Sequence, residues 1–160
     1  MIRVSLIAVG SLKESYLREA FEEYRKRLGS YVSFSLNEIR EERLSPSPSP
    51  AEIRSALERE GERISEAIPP RSYRIALCIE GSLIDSVSFA SRLSELSASG
   101  VSSFAFLIGG SYGLSEAVKR SADWKLSFSP MTFPHQLMRV ILTEQLYRAM
   151  NLSGGGKYHK

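Results

Sequence analysis

Residues 103–114 read Ser103-Phe104-Ala105-Phe106-Leu107-Ile108-Gly109-Gly110-Ser111-Tyr112-Gly113-Leu114. The apolar run 104–108 marks a strand, and it passes straight into two glycines. Residues 114–122 then read as a short helix. The same alternation of strand and helix recurs outward in both directions. Residues 2–9 are an apolar run closed by Gly10 and read as a buried strand. Ser11, with Glu14 three residues on, matches a capping box. Leu12, Tyr16, Leu17, Ala20, Tyr24 and Leu28 follow at helical spacing, and Gly29 stops that helix. Residues 31–39 alternate polar and apolar, as a strand with one wetter face does. Ser45-Pro46-Ser47-Pro48-Ser49-Pro50 favours extended backbone and predicts a surface loop. Ser49, Pro50 and Glu52 then signal a helix start. Further strands are predicted at 73–79, ending at Glu80-Gly81, and at 124–128. Further helices are predicted at 86–96 and 135–150. The order βαβαβαβαβα predicts one α/β domain over residues 1–160, a mostly parallel sheet with helices on both faces. Ligands of such sheets sit beyond the carboxyl ends of the strands. The loops after residues 79, 108 and 128 are therefore expected to converge on one site.

The composition bounds the function. With 42% apolar and 24% charged residues, the chain matches neither a disordered, a collagen-like nor a coiled-coil protein. Its longest apolar runs, 75–79 and 104–108, are five residues each, where a membrane span needs about 20. The amino terminus reads as a strand and not as a signal peptide. Cys78 is the only cysteine, which excludes an intrachain disulfide and fits a reducing cytoplasm. Lying mid-strand, it is expected to be a buried structural thiol. One cysteine and two histidines make no zinc cluster, and no metal is expected. The charge is uneven. Residues 1–118 hold 14 Lys/Arg and 16 Asp/Glu, and residues 119–160 hold 7 and 2, so the net charges are −2 and +5. A basic carboxyl-terminal segment suits an anionic partner, with phosphates the leading candidate, and is equally a solvated basic face.

Three features could carry chemistry. The glycine turn 108–114 lets a ligand approach the backbone closely, and it also serves as a tight strand-to-helix connection. It is not a dinucleotide fingerprint, which belongs after the first strand. In Phe128-Ser129-Pro130-Met131-Thr132-Phe133-Pro134-His135, two prolines fix the backbone direction. Such a loop presents N–H and C=O groups to a flat polar ring, with Met131 and Phe133 covering its faces, or simply connects a strand to a helix. The third feature is the set His135, Arg139, Arg148, Tyr158 and His159. His135 and Arg139 are four apart on one helical face, as are Glu144 and Arg148. A tail of Lys157-Tyr158-His159-Lys160 after three glycines either frays or folds over a site or a partner subunit.

Taken together in order, 108–114, Leu126-Ser127-Phe128-Ser129, Met131-Thr132-Phe133-Pro134-His135-Gln136-Leu137, residues 139–149 and the terminal Tyr158-His159-Lys160 resemble the ribosomal RNA large subunit methyltransferase H family. These are minimal members of the SPOUT class. The resemblance implies an α/β domain with a deep trefoil knot near its carboxyl terminus. It implies S-adenosylmethionine as cofactor, contacted by Leu77, Gly109, Phe128, Ser129, Pro130, Met131, Thr132 and Phe133. It also implies a homodimer whose RNA site spans both subunits, acting on assembled ribosomes. The substrate would be a pseudouridine of 23S rRNA, methylated at N3. On that reading Arg148 and Arg139 stabilise the imide anion or hold phosphates. His159 takes the proton, and Tyr158 stacks on or orients the base. The alternatives are the same fold acting on another RNA such as tRNA, and a ribosome-binding factor without catalysis. A dinucleotide-dependent oxidoreductase is disfavoured by the missing early glycine fingerprint.

Overall fold

In the computed structural model, which describes residues 1–160, ten elements alternate as the sequence predicts. They are β1 (Arg3–Val9), α1 (Ser15–Leu28), β2 (Ser33–Ile39), α2 (Pro50–Ala67), β3 (Tyr73–Leu83), α3 (Ser86–Ala98), β4 (Ser103–Ile108), α4 (Glu116–Ser121), β5 (Trp124–Ser127) and α5 (His135–Ser153). The five strands form one sheet in the order β2-β1-β4-β3-β5, and every pairing is parallel.

The two-residue period of a strand explains the layers. From the central strands β1 and β4, Val4, Leu6, Ala8, Phe104, Phe106 and Ile108 point into a core shared with Phe21 of α1, Phe89 of α3 and Leu142 of α5. The intervening Ile7, Val9, Ala105 and Leu107 point the other way, onto Ile64 of α2 and Val118 of α4. Both faces are buried, so these strands are apolar throughout their buried length except at Ser5 and Ser103, unlike β2 at the sheet edge. Each fully buried large side chain contributes roughly 2 kcal/mol by its removal from water.

Local signals were obeyed unevenly. Ser49 caps α2 as expected, its Oγ accepting from the Glu52 N–H at 3.2 Å. The capping box expected at Ser11 and Glu14 does not form. The helix begins at Ser15, and Glu14 makes no side-chain capping bond. Leu12 is buried, and the Arg18 guanidinium donates to the Leu12 and Lys13 carbonyls at 3.0 and 2.6 Å. These contacts hold residues 12–13 as a loop. Tyr16, expected on the apolar face, is exposed, and Phe21 is the residue that turns inward. The last strand-to-helix connection runs as predicted, and α5 continues three residues beyond Met150.

One buried carboxylate works against the fold. Glu60 of α2 is 6% exposed and accepts from the Glu42 N–H at 2.9 Å. Burial raises its pKa, and the nearby Glu41 and Glu42 charges add to that. The folded chain therefore binds this proton more tightly than the unfolded chain. The cost is fully felt above the raised pKa and disappears as pH falls through it. Glu60→Gln keeps the acceptor and removes the charge. Thermal unfolding should show a gain on the order of 1 kcal/mol at pH 7, about 3 °C in Tm, shrinking toward zero near pH 4.

Candidate functional site

Strand β3 meets β5 twice at the same place. Leu77 and Ser82 both pair with Leu126, so residues 78–81 are displaced from the ladder between them. Irregularities of this kind redirect side chains at sheet ends. Here Cys78, Ile79 and Glu80 become one wall of a cavity. Gly81 lies against the crossing backbone: a Cβ there would come within 2.7–2.8 Å of main-chain atoms of Lys125 and Leu126.

The second wall is the turn after β4. The Gly113 N–H donates to the Gly110 carbonyl at 3.0 Å, and Gly113 takes φ +80°. A Cβ on Gly109 would collide with the Gly113 carbonyl oxygen. Only glycine fits there. The third wall follows β5. Ser129 Oγ accepts from the Met131 N–H at 2.9 Å, and Ser127 Oγ donates to the Ser129 carbonyl at 3.1 Å. The three loops named from the sequence thus converge on one cavity of about 730 Å³. That lies within the size range of small-molecule sites. Leu77, Gly109, Phe128, Ser129, Met131, Thr132 and Phe133 line it, whereas Pro130 does not.

Three ionisable lining residues, Cys78, Glu80 and Lys119, were not among the candidates read from the sequence, whereas His135 was. Cys78 is half-buried on the cavity wall and not sealed in the core, which corrects the structural-thiol expectation. Burial still pushes its thiol pKa up. His135 lines the far side, and burial lowers its pKa. Glu80 and Lys119 are joined at 2.5 Å, and Lys119 also reaches Glu116 at 2.8 Å. Burial pulls Lys119 down, but its bonds to Glu116 and Glu80 outweigh that and leave its pKa raised. The Lys119 bond is the main cause holding the Glu80 carboxyl below its ordinary value. The spacing of 39 residues between them gives no sequence signal.

The tail does not fray. The Tyr158 N–H donates to Asn151 Oδ1 at 3.0 Å, and Tyr158 Oη donates to Glu144 Oε1 at 3.1 Å. The same carboxylate accepts two bonds from Arg148, at 3.1 and 2.5 Å. The Arg148 guanidinium lies 4.7 Å from the Tyr158 ring centroid, and its Nη1 is 3.3 Å from His159 Nδ1. Arg148, Tyr158 and His159 are therefore one cluster, organised by Glu144. Burial and the Glu144 charge push Tyr158 up to about 12, so it stays a hydroxyl and an O–H donor at neutral pH.

Arg139 is not in that cluster. It is 1% exposed, donating to Glu38 Oε2 at 2.7 Å and to the Gly10 carbonyl at 3.1 Å, with its Nε unpartnered. A guanidinium enclosed in this way has no face for a phosphate or an imide, so the expectation that it acts on substrate is corrected. It ties the ends of β1 and β2 to the start of α5. The tail cluster and the cavity are also apart. The cavity touches α5 at His135 and Met138, and Arg148 lies ten residues further on, about 15 Å along the helix axis.

A parallel sheet with a cavity of small-molecule size at the carboxyl ends of three strands defines an open-sheet α/β protein. Comparison with known proteins makes this specific. The family model described as "Predicted SPOUT methyltransferase" matches residues 2–159. The chain is 46% identical over 159 residues to the ribosomal RNA large subunit methyltransferase H of Carboxydothermus hydrogenoformans, covering 99% of this chain and all of that protein. The same figures hold for the Streptococcus thermophilus protein of that name. Among solved structures, a probable methyltransferase from Bordetella pertussis superposes with TM-score 0.59 at 17% identity, covering 93% of this chain and 95% of that one. The chain belongs to the SPOUT methyltransferase family. Within it, the chain is a member of the ribosomal RNA large subunit methyltransferase H family.

The Arg139 tie has a measurable consequence. Arg139→Met should cost about 2–3 kcal/mol, because Glu38 is 43% exposed and regains water when its partner is lost. Chemical denaturation should show the loss, and Arg139→Lys should recover only part of it, since one ammonium cannot replace the guanidinium fork. An unchanged midpoint for Arg139→Met would refute the tie.

Proposed function

We propose that this protein uses S-adenosylmethionine to methylate N3 of a pseudouridine in 23S rRNA on the assembled ribosome. The observation that carries the reading is the convergence of three rigid loops on one cavity, in a chain whose full-length relatives bear the large-subunit methyltransferase name. Leu77, Gly109, Phe128, Ser129, Met131, Thr132 and Phe133 hold the cofactor, and Pro130 shapes the loop without lining the cavity. When bound, S-adenosylmethionine supplies a methyl group on a sulfonium, which needs neither an acid nor a metal to leave.

The chain's own residues do the rest. His159 takes the N3 proton of the base. Arg148, a cation fixed by Glu144, stabilises the imide anion left behind. Tyr158 donates its O–H or stacks on the base but is not the proton acceptor, because its own proton is too tightly held. Arg139 positions α5 and does not touch substrate. The working unit is a homodimer. Because the tail cluster sits about 15 Å along α5 from the cavity, the tail of one copy serves the cavity of the other. Tyr16 and Leu137, exposed on α1 and α5, support a second copy on that side. The reading carries a trefoil knot near the carboxyl terminus, and the tight crossing of Gly81 over the β5 backbone supports it. The +5 segment attracts phosphates, so RNA binding weakens with salt.

The test is transfer from labelled S-adenosylmethionine to intact ribosomes, isolated large subunits and naked rRNA lacking the modification. Label at a 23S pseudouridine, greatest on intact ribosomes, is expected. Label only on tRNA, or on nothing, overturns the substrate. His159→Ala should lower turnover by about 10²-fold or more, the usual worth of a general base. Arg148→Ala should lower turnover more than cofactor affinity. Gly109→Ala should do the reverse, weakening cofactor binding at least about 10-fold in a direct titration, because the turn must open to admit the methyl group.

A further inference from the structure

Among all the side chains lining the cavity, only Glu80 and Lys119 carry a fixed charge. The rest of the lining is apolar side chains, hydroxyls and backbone, together with His135, which burial keeps toward its neutral form. The two charges have different surroundings. Glu80 is 54% exposed, and Lys119 is 16% exposed. Lys119 has three N–H donors and uses two, on Glu80 and Glu116. Glu80 uses Oε1 on Lys119, which leaves Oε2 without a bonded partner. The pair therefore offers one open cationic donor and one open anionic acceptor side by side. Glu116 keeps the lysine compensated if Glu80 turns toward a ligand.

We propose that Glu80 and Lys119 recognise the zwitterionic α-amino-acid end of the ligand, Glu80 taking its ammonium and Lys119 its carboxylate. The inference rests on the reading that the cavity holds S-adenosylmethionine, and it deepens that reading. The pair sets one anionic acceptor beside one cationic donor, as an α-amino acid sets an ammonium beside a carboxylate, with the signs complementary. An uncharged adenosine derivative would leave the pair closed on itself and gain nothing from it. The apolar walls and the backbone of the loop 128–133 would serve both ligands alike. Glu80 and Lys119 thus set selectivity for adenosyl compounds that keep the amino acid over thioethers that have lost it.

The test is calorimetric titration of the folded protein with three ligands: S-adenosylhomocysteine, decarboxylated S-adenosylmethionine and 5′-methylthioadenosine. The proteins are wild type, Glu80→Gln, Lys119→Gln and the double variant, each checked first by thermal unfolding. Each charge-assisted contact is worth about 10-fold in affinity or somewhat more. Wild type should therefore prefer S-adenosylhomocysteine to methylthioadenosine by about 10²-fold, and the double variant should prefer it by less than about 3-fold. Methylthioadenosine affinity should stay within about twofold throughout, which a merely structural role for the pair would not predict. Decarboxylated S-adenosylmethionine should weaken with Glu80→Gln and not with Lys119→Gln. Equal losses for ligands with and without the amino acid overturn the proposal, as does an unchanged preference. If wild type binds none of the three, the cofactor reading itself falls and takes this inference with it. If wild type binds S-adenosylhomocysteine and the variants bind it equally well, only the inference falls.

Discussion

Leu126 of β5 is paired twice by β3, once through Leu77 and once through Ser82. A parallel ladder cannot pair one residue with two partners five apart unless the residues between are displaced from the ladder. Those residues, 78–81, are the wall that turns the end of an ordinary parallel sheet into a cavity. The constraint propagates. Gly81 has to be glycine because the displaced backbone crosses Lys125 and Leu126 at contact distance. With β5 held at the edge of β3, the chain leaves it directly above the cavity, and the loop 128–134 closes over the space. The glycine turn after β4 completes the enclosure from the other side.

The second organised region, the tail, is built on different physics. Its last residues are held by hydrogen bonds and by the Tyr158 ring, which packs edge-on against Tyr147. Asn151 holds the Tyr158 backbone and the Tyr31 hydroxyl, and Glu144 gathers Arg148 and Tyr158. Gln145 links Glu144 onward to Ser86 at the start of α3. Three glycines, 154–156, precede this segment, and Gly155 takes φ +74°. The tail is thus fixed by polar contacts and one aromatic contact after a left-handed glycine turn.

How much of this was legible in the sequence follows from the range of each interaction. The strands and helices were legible because period-2 and period-3.6 patterns are local, and the cap at Ser49 because its partner is three residues away. The false capping box at Ser11 had the right letters, yet Arg18 holds the Leu12 and Lys13 carbonyls in a loop and the helix starts later, at Ser15. The burial of Arg139 depends on Glu38, 101 residues earlier, and nothing in a helical pattern of apolar residues announces a guanidinium turned inward. The Glu80–Lys119 pair is invisible for the same reason, and Cys78 was misplaced because an apolar run does not reveal that its strand breaks register midway. The three loops were found because strand ends in a parallel sheet converge by topology, whatever their letters.

The strand order also sets a schedule for folding. On one side β1 pairs with β2, thirty residues on, and on the other it pairs with β4, where Arg3 meets Ser103. During synthesis at about 5–20 residues per second, the apolar strand 4–9 must wait on the order of 5–20 s before its inner neighbour exists. The β1–β4 junction at the centre of the sheet thus has the largest sequence separation of any strand pair. For that interval, a strand buried at six of its seven positions in the finished protein is an open edge in the nascent one, the kind of surface that chaperones bind and that aggregation exploits.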